Sequence, residues 1–321
     1  MARILDQVSG HGDVLKTLQR ALSEKRFPAT SIFVGASGIG KKRIALGMAQ
    51  ALICEQNSVG CGNCPSCQRI ENQQSESLLI VEPESTQLKV EQSRQVIRFV
   101  SLRQIGRARV VIIDGAERLN AAASNSLLKT LEEPPEQSYF ILISKSIAAL
   151  LPTIRSRAQT FRFSPLSPAE IKEIGDFPDW VYDSCGGSME QAEVLSGSGE
   201  LLELRNAGLA LLRKALCAEA SVYGEVKDLV KDKESALFLI QSIRLWVRDL
   251  FRSRSGGQTS AMFGDEHTSW SKKFVLEADI DVLNRIWGWT IQLERDVLGN
   301  VDRQLSFENF FLSCARHAAK T

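Results

Sequence analysis

The run Ser31-Ile-Phe-Val34 leads directly into the glycine-rich loop Gly35-Ala-Ser-Gly-Ile-Gly40 and then into Lys41 and Lys42. The loop and the first lysine match the G-x-x-x-x-G-K pattern of a phosphate-binding loop. Glycines allow backbone N–H groups to turn inward around phosphate oxygens, and a helix that starts at the lysine adds its positive end. The order of strand, loop and helix predicts one unit of an α/β domain.

Further apolar runs alternate with amphipathic segments on the C-terminal side of this loop. The runs that are typical of buried strands cover residues 78–81, 110–113, 139–143 and 159–163. The segments with helical spacing of apolar residues cover 41–53, 90–102 and 121–133. This alternation predicts βαβ units, and therefore an α/β fold with a doubly wound parallel sheet that helices cover on both faces.

The pattern changes after Pro165 and Pro168, because no further strand alternation follows them. Ser167 has the features of a helix N-cap, with proline at the first helical position. Helical spacing then continues through 201–220, 222–254, 277–298 and 303–319. We therefore predict three parts: a phosphate-loop domain at residues 1–163, a small helical domain at 164–200, and an all-helical domain at 201–321.

Composition limits the classes of protein to which this chain of 321 residues can belong. It has 39 Lys and Arg against 38 Asp and Glu, and 44% of its residues are hydrophobic. This balance predicts a folded core and argues against nucleic-acid binding over the whole surface. Since no apolar run is long enough for a membrane helix and the start does not resemble a signal peptide, we expect a soluble, cytoplasmic protein.

Four of the seven cysteines lie close together after the predicted helix 41–53, at Cys54, Cys61, Cys64 and Cys67. Glycines and a proline between them supply tight turns. Four thiolates at this spacing match a closed tetrahedral zinc site, which is structural because no position is left for water. We predict a zinc module at residues 54–67 that replaces the core that so short an insertion lacks. Free thiols are the alternative.

The phosphate loop departs from the pattern that phosphoryl transfer requires. Lys42 stands where a serine or threonine would ligate Mg²⁺, and an ammonium group repels a cation. Asp114 ends a predicted strand at the position of a metal-orienting aspartate, but Gly115 follows where many ATPases carry a catalytic glutamate. We expect the fold without intrinsic ATPase activity. Binding of ATP or ADP is doubtful, and its candidate residues are Gly35, Gly38, Gly40, Lys41 and Asp114.

The phosphate loop, the four-cysteine insertion, the run Ser126-Leu-Leu-Lys-Thr-Leu-Glu-Glu-Pro-Pro135 and Ile154-Arg-Ser-Arg157 together resemble one family. They are similar to the bacterial clamp-loader subunits of DNA polymerase III, which belong to the AAA+ class. The motifs cover residues 10–195. The resemblance implies an AAA+-like domain with an inserted zinc module, a small helical lid domain, and a C-terminal helical collar that forms oligomers.

Two types of subunit share this layout, an ATP-hydrolysing motor of the gamma/tau type and a non-motor, stator-like delta-prime type. Lys42, Gly115 and Glu190, which stands where the motor has a sensor arginine, favour the delta-prime type. The resemblance then implies a hetero-pentamer with motor subunits and a clamp-opening subunit, which loads a sliding clamp on primed DNA. It also implies that Arg157, with Ser156, is an arginine finger acting in trans on the ATP site of the neighbouring motor subunit.

Alternatives remain open at this point. The chain could be the motor subunit itself, a module that holds ADP without hydrolysis, or a zinc-dependent nucleic-acid-binding protein. Arg94 and Arg98 share a helix face and lead into further arginines, so a contact with DNA is conceivable, although such a stripe is more often a solvated face. Glu132 and Glu133 precede two prolines, which predict only the end of a helix.

Overall fold

The computed structural model describes residues 3–83, 87–102, 106–197, 199–217, 226–254, 280–299 and 301–318. The chain divides into two compact units. The first unit consists of Met1–Asp176 with Gly186–Glu190, and the second consists of Phe177–Cys185 with Gln191–Thr321.

The first unit contains a five-stranded parallel sheet. Its strands are β1 (Thr30–Val34), β2 (Leu78–Val81), β3 (Arg109–Asp114), β4 (Ser138–Ser144) and β5 (Gln159–Arg162). They lie in the order β2-β3-β4-β1-β5, and because every pair is parallel, each strand is joined to the next by a crossover. Strand β1 pairs with β4 on one side and β5 on the other, so that Ile32 lies opposite Leu142 and Thr160. The predicted doubly wound parallel sheet is confirmed.

Helices cover both faces of this sheet. They are α1 (Gly12–Ser23), α2 (Lys41–Ile53), α3 (Pro65–Glu71), α4 (Val90–Ser101), α5 (Ala121–Glu132) and α6 (Pro152–Arg155), with short 3-10 turns at Ile4–Gln7, Ala116–Arg118 and Ile147–Ala149. Helix α7 (Pro168–Ile174) follows the last strand. Because successive strand residues point to opposite faces, Phe33 packs with Met48 of α2, whereas Ile32 packs with Leu127 of α5. The sheet therefore lies between two apolar cores.

Local chemistry sets the start of two helices that the sequence predicts. Gly40 has a φ of +91° and precedes Lys41, the first residue of α2. At α7, the Ser167 hydroxyl accepts a hydrogen bond from the Glu170 backbone N–H, and the Glu170 carboxylate accepts one from the Ser167 N–H. With Pro168 at the first helical position, this is the capping box that satisfies otherwise unpaired N–H groups.

The remaining helices are α8 (Asp179–Ser184), α9 (Met189–Gly197), α10 (Gly199–Leu216), α11 (Val226–Leu229), α12 (Lys233–Arg254), α13 (Ile280–Leu298) and α14 (Arg303–Ala318). The core of the second unit is helical and includes Trp246, Leu283 and Phe307, all buried. The predicted helix 222–254 is not continuous, since the Asp232 carboxylate caps the start of α12 by accepting from the Ser235 N–H at 2.8 Å. None of the helices described is long and apolar enough to cross a membrane.

The predicted division into three parts stays a prediction. Residues 164–200 form α7, α8 and α9, and they contribute to both compact units rather than to one. Most of the predicted polar loop 253–264 lies outside the described residues.

Candidate functional site

The phosphate loop borders a cavity of about 480 Å³ at the carboxyl ends of the parallel strands. The loop follows β1 and leads into α2, with Gly38 and Gly40 both in the left-handed backbone region. Ser37, Gly38, Gly40 and Lys41 line the cavity, and Asp114 at the end of β3 lies across from them. The structure thus brings most of the predicted nucleotide-site residues to one cavity.

Gly35 has a packing role in the loop. A Cβ atom at this position would lie 2.4 Å from the carbonyl oxygen of Phe163, which follows β5. Only glycine permits so close an approach of two backbone segments.

The Lys41 ammonium is directed back at its own loop. Its Nζ donates hydrogen bonds to the carbonyl oxygen of Gly35, at 2.8 Å, and to that of Ala36. Burial lowers the pKa of Lys41, while the carboxylates of Asp114 and Glu117 act in the opposite direction. The Lys41 ammonium group, which would contact phosphate in a nucleotide site, is therefore bound by carbonyl oxygens of its own loop.

Lys42, which replaces the metal-ligating hydroxyl, forms an ion pair with Glu82. Glu82 follows β2 and lines the same cavity. Burial and the neighbouring Glu82 charge raise the pKa of Asp114. Lys42 thus places an ammonium group, neutralised by Glu82, where a nucleotide site would carry a hydroxyl ligand for Mg²⁺.

The charges around the cavity are balanced, with four basic and four acidic side chains. The basic ones are Lys41, Lys42, Arg118 and Lys145, and the acidic ones are Glu82, Asp114, Glu117 and Glu190. A site for a polyphosphate needs an excess of positive charge or a bound metal ion. This cavity has no such excess.

A segment before and within α9 closes the loop from one side. The Met189 backbone N–H donates to the Gly38 carbonyl oxygen at 2.8 Å. A Cβ on Gly38 would lie 2.1 Å from the Ser188 Oγ and 2.6 Å from the Glu190 Cβ. The carboxylate of Glu190 is therefore held beside the phosphate loop, where it repels an anion.

His11 lies at the other end of the loop. One ring nitrogen of His11 is 2.7 Å from the carbonyl oxygen of Ile39, and the ring packs edge-on against Phe163 at 5.3 Å between centroids. The segment before α1 thus contacts the phosphate loop itself.

The conformation at Gly115 bears on the missing catalytic glutamate. Gly115 has a φ of +75°, and a Cβ there would meet only ordinary contacts at 3.6 Å. A glutamate at this position would adopt a left-handed backbone, which costs about 1–2 kcal/mol for a residue with a Cβ. The backbone, and not the space around it, opposes a glutamate.

Sequence reasoning missed four charged residues of the cavity: Glu82, Glu117, Arg118 and Lys145. Glu82 comes directly after β2 and Lys145 directly after β4. Since the carboxyl ends of parallel strands meet at one edge, their positions next to predicted strands were the available indication.

The four cysteines form a compact cluster between α2 and α3. The Sγ atoms of Cys54, Cys61, Cys64 and Cys67 all lie within 4.8 Å of one another. Backbone N–H groups of Asn63 and Cys64 donate to the Cys61 sulfur, at 3.4 and 3.2 Å. These bonds lower the pKa of Cys61 to about 6, whereas burial raises the pKa of Cys67. Four thiols so arranged can hold a metal ion.

Two side chains join the cysteine cluster to the sheet domain. The Arg107 guanidinium, just before β3, donates from Nη1 to the carbonyl oxygens of Cys54 and Asn57, both at 3.0 Å. The buried Gln50 side chain of α2 donates to the Cys67 carbonyl oxygen at 3.2 Å and accepts from the Ile4 N–H at 3.0 Å. The cluster is thus fixed to its domain at both ends.

Ser156 and Arg157 lie between α6 and β5 on the surface of the first unit. The Ser156 hydroxyl donates to the Thr153 carbonyl oxygen at 3.1 Å. The Arg157 guanidinium donates to the same oxygen at 2.7 Å and forms an ion pair with Glu132, the last residue of α5. The sequence predicted no contact for this glutamate.

The arginines of the predicted stripe separate into two kinds. Arg94 and Arg98 are exposed on α4. Arg109 is buried, donates to the carbonyl oxygens of Phe99 and Leu102 at the end of α4, and lies over the Phe99 ring. Arg107 and Arg109 therefore stabilise the fold, and Arg103 lies outside the described residues.

Comparison with known proteins finds similar replication subunits. Residues 10–167 match the model of a family described as "DNA polymerase III, delta subunit". The delta' subunit of DNA polymerase III from Pseudomonas aeruginosa is 32% identical over 66% of this chain, which spans 64% of that protein's length. The delta' subunit from Bacillus subtilis is 25% identical over 93% of this chain and 94% of its own length.

Other matches cover less of their own length or are more distant. The tau subunit from Bacillus subtilis is 30% identical over 77% of this chain but only 43% of its own length. A solved structure of a gamma-subunit-related protein from Thermotoga maritima covers 94% of this chain and 99% of its own, with 16% identity and a TM-score of 0.45. The Bacillus subtilis delta' subunit is a better match than the tau subunit because it agrees along nearly the whole length of both chains. The chain is thus similar to delta' subunits of DNA polymerase III, in part of its length to one and in nearly all of it to another.

Proposed function

We propose that this chain is a non-motor subunit of the DNA polymerase III clamp loader and has no ATPase activity of its own. It helps a hetero-pentamer of motor and clamp-opening subunits to load a sliding clamp on primed DNA in the cytoplasm, and it supplies Arg157 to the ATP site of a neighbouring motor subunit. The observation that carries the proposal is a phosphate loop occupied by the chain's own groups, with Lys41 on its carbonyl oxygens and Glu190 beside Gly38.

Titration calorimetry with ATP and ADP, each with and without Mg²⁺, tests the nucleotide site. We expect no binding heat under any condition, because the charges of the cavity balance, Lys41 is bound by loop carbonyl oxygens and Lys42 is paired with Glu82. Tight, Mg²⁺-dependent ATP binding followed by turnover would contradict the proposal and would favour the ATP-hydrolysing motor subunit. Binding of ADP alone would favour a module that holds nucleotide without hydrolysis.

The proposed metal of the cysteine cluster is structural zinc. Four thiolates leave no open position, and Zn²⁺ prefers this tetrahedral sulfur set. Elemental analysis of the purified chain should find about one zinc ion per chain. Cys64→Ser should lose the metal and lower the thermal midpoint, whereas Cys217→Ser, at an exposed thiol outside the cluster, should change neither.

The proposed trans role of Arg157 rests on family resemblance and on its surface position at the end of α6. Since an arginine finger is worth about 10³-fold or more in phosphoryl transfer, Arg157→Ala should remove the turnover of the one ATP site that it serves. ATP hydrolysis by the reconstituted complex measures this loss. Arg155→Ala, at an exposed arginine two positions earlier, is the control. Unchanged turnover with Arg157→Ala would overturn the assignment.

Assembly is proposed to use the helical second unit, which corresponds to the collar of the family. On α13, the exposed apolar side chains Ile280, Trp287, Ile291 and Leu298 share one face through their heptad spacing. An exposed apolar stripe of this kind is typical of helix–helix contact between subunits.

A further inference from the structure

We propose that Glu132 is a positioning residue that holds Arg157 in a retracted state until a neighbouring subunit presents its ATP. This inference rests on the proposed function, because it assumes that Arg157 acts in trans. The observation behind it is the ion pair between the Arg157 Nη2 and a carboxylate oxygen of Glu132, at the end of α5.

The hydrogen bonds of the guanidinium are the first step of the argument. Nη1 donates to the Thr153 carbonyl oxygen at 2.7 Å and lies 3.4 Å from the Ser156 Oγ, while Nη2 binds Glu132. Both terminal nitrogens therefore have acceptors within this chain. A guanidinium that stabilises a transferring phosphoryl group needs those same nitrogens for the phosphate oxygens. Engagement in trans requires at least the Glu132 contact to be exchanged.

The position of Glu132 is the second step. It is the last residue of α5, and a carboxylate in the last turn of a helix interacts unfavourably with the helix dipole. Helix stability therefore does not favour an acidic residue at this position. The Arg157 side chain is 30% exposed and the Glu132 side chain 41% exposed, so a phosphate oxygen from outside can compete for the guanidinium.

The strength of the pair is the third step. An exposed ion pair is weak, so it biases the arginine without locking it. If Arg157 is released from Glu132 only part of the time, kcat/KM for ATP falls in proportion to the fraction of complexes in which Arg157 is released. ATP hydrolysis in the neighbouring subunit thus requires that the Glu132 carboxylate be displaced from Arg157.

The test uses the complete complex, reconstituted with an ATP-hydrolysing partner subunit, and compares Glu132→Gln with Glu133→Gln. Glu133 is exposed and carries the same charge one residue further on, so it is a matched control. Glutamine retains the helix propensity and size of glutamate but removes the ion pair. We expect Glu132→Gln to raise kcat/KM for ATP about two- to fivefold over Glu133→Gln, the size that an exposed ion pair sets. The ratio should shrink as salt rises.

Combination with Arg157→Ala separates this proposal from the proposed function. If Arg157→Ala slows hydrolysis, the gain from Glu132→Gln should vanish in the double variant, which a merely structural role of Glu132 does not predict. Equal kcat/KM for the two glutamine variants, or a decrease with Glu132→Gln, would overturn the proposed retracted state but not the proposed role of Arg157 in trans. If Arg157→Ala leaves turnover unchanged, the finger assignment itself fails.

Discussion

At the scale of single residues, the phosphate loop is shaped by glycines that serve packing as much as backbone freedom. Gly38 lies against Ser188 and Glu190, whereas a Cβ added at Gly40 would have no neighbouring atom within 4 Å. Both have a positive φ. The two positions therefore share the same backbone strain on substitution and differ only in the contact with the segment that closes the loop.

This difference predicts unequal costs for two alanine variants. Gly40→Ala should lower the free energy of unfolding by about 1 kcal/mol, the strain of a left-handed residue. Gly38→Ala should cost about 1–3 kcal/mol more, because its Cβ also displaces Ser188 and Glu190. Urea unfolding of both variants measures the difference. Equal losses would mean that the segment with Glu190 does not pack on the loop in solution.

At the scale of elements, the cysteine cluster and the sheet domain are joined through Arg107. Its guanidinium bridges two carbonyl oxygens, one of Cys54 at the end of α2 and one of Asn57 in the turn that follows. The four-cysteine segment contributes almost no apolar core of its own, since its buried cluster consists of the cysteines. This arginine therefore holds the segment in place, and the proposed metal ion would add to that hold.

Arg107→Ala should therefore weaken the hold on the metal. Removing a charged donor from two carbonyl oxygens costs about 1–3 kcal/mol, and the cysteine turn loses its outer support. We expect faster transfer of metal to a chelator and a lower thermal midpoint of the first unit. Arg94→Ala, at an exposed arginine of α4, is the control. The same rate of metal loss in both variants would argue against Arg107 as an anchor.

At the scale of the whole molecule, the charges of the cavity and the apolar stripe of α13 agree with the proposed function, in which the chain acts through neighbouring subunits. The acidic and basic side chains of the cavity balance each other in number, so no bound nucleotide is needed to neutralise them. The stripe leaves large apolar side chains in contact with solvent on α13. Burial of such side chains stabilises an assembly by about 25 cal/mol per Å².

Ile291→Asp should weaken assembly without unfolding the chain. Ile291 is exposed on α13, so the substitution leaves the core of the second unit intact but places a charge in the stripe. Gel filtration with the partner subunits should show a reduced fraction of complex, whereas Gln292→Asp, on another exposed face, should assemble normally. Normal assembly of Ile291→Asp would exclude this face from the interface.

The sequence alone determined the parallel sheet, the phosphate loop and the cysteine cluster, because each depends on local signals. Strands 78–81 and 110–113 are apolar on both faces, and the cysteines follow a spacing that suits one metal ion. Helix ends were equally local, as at Ser167 and Pro168. Patterns of this kind involve residues that are close together in sequence, so they can be identified without the structure.

Only the tertiary structure decided how the charges pair. Lys42 meets Glu82, Arg157 meets Glu132, and Glu190 lies beside Gly38, although each pair is far apart in sequence. Distant side chains meet through crossovers and helix packing, which no periodicity encodes. The sequence therefore predicted a phosphate loop that lacks residues needed for hydrolysis, and the fold determined which of the chain's own groups lie beside that loop.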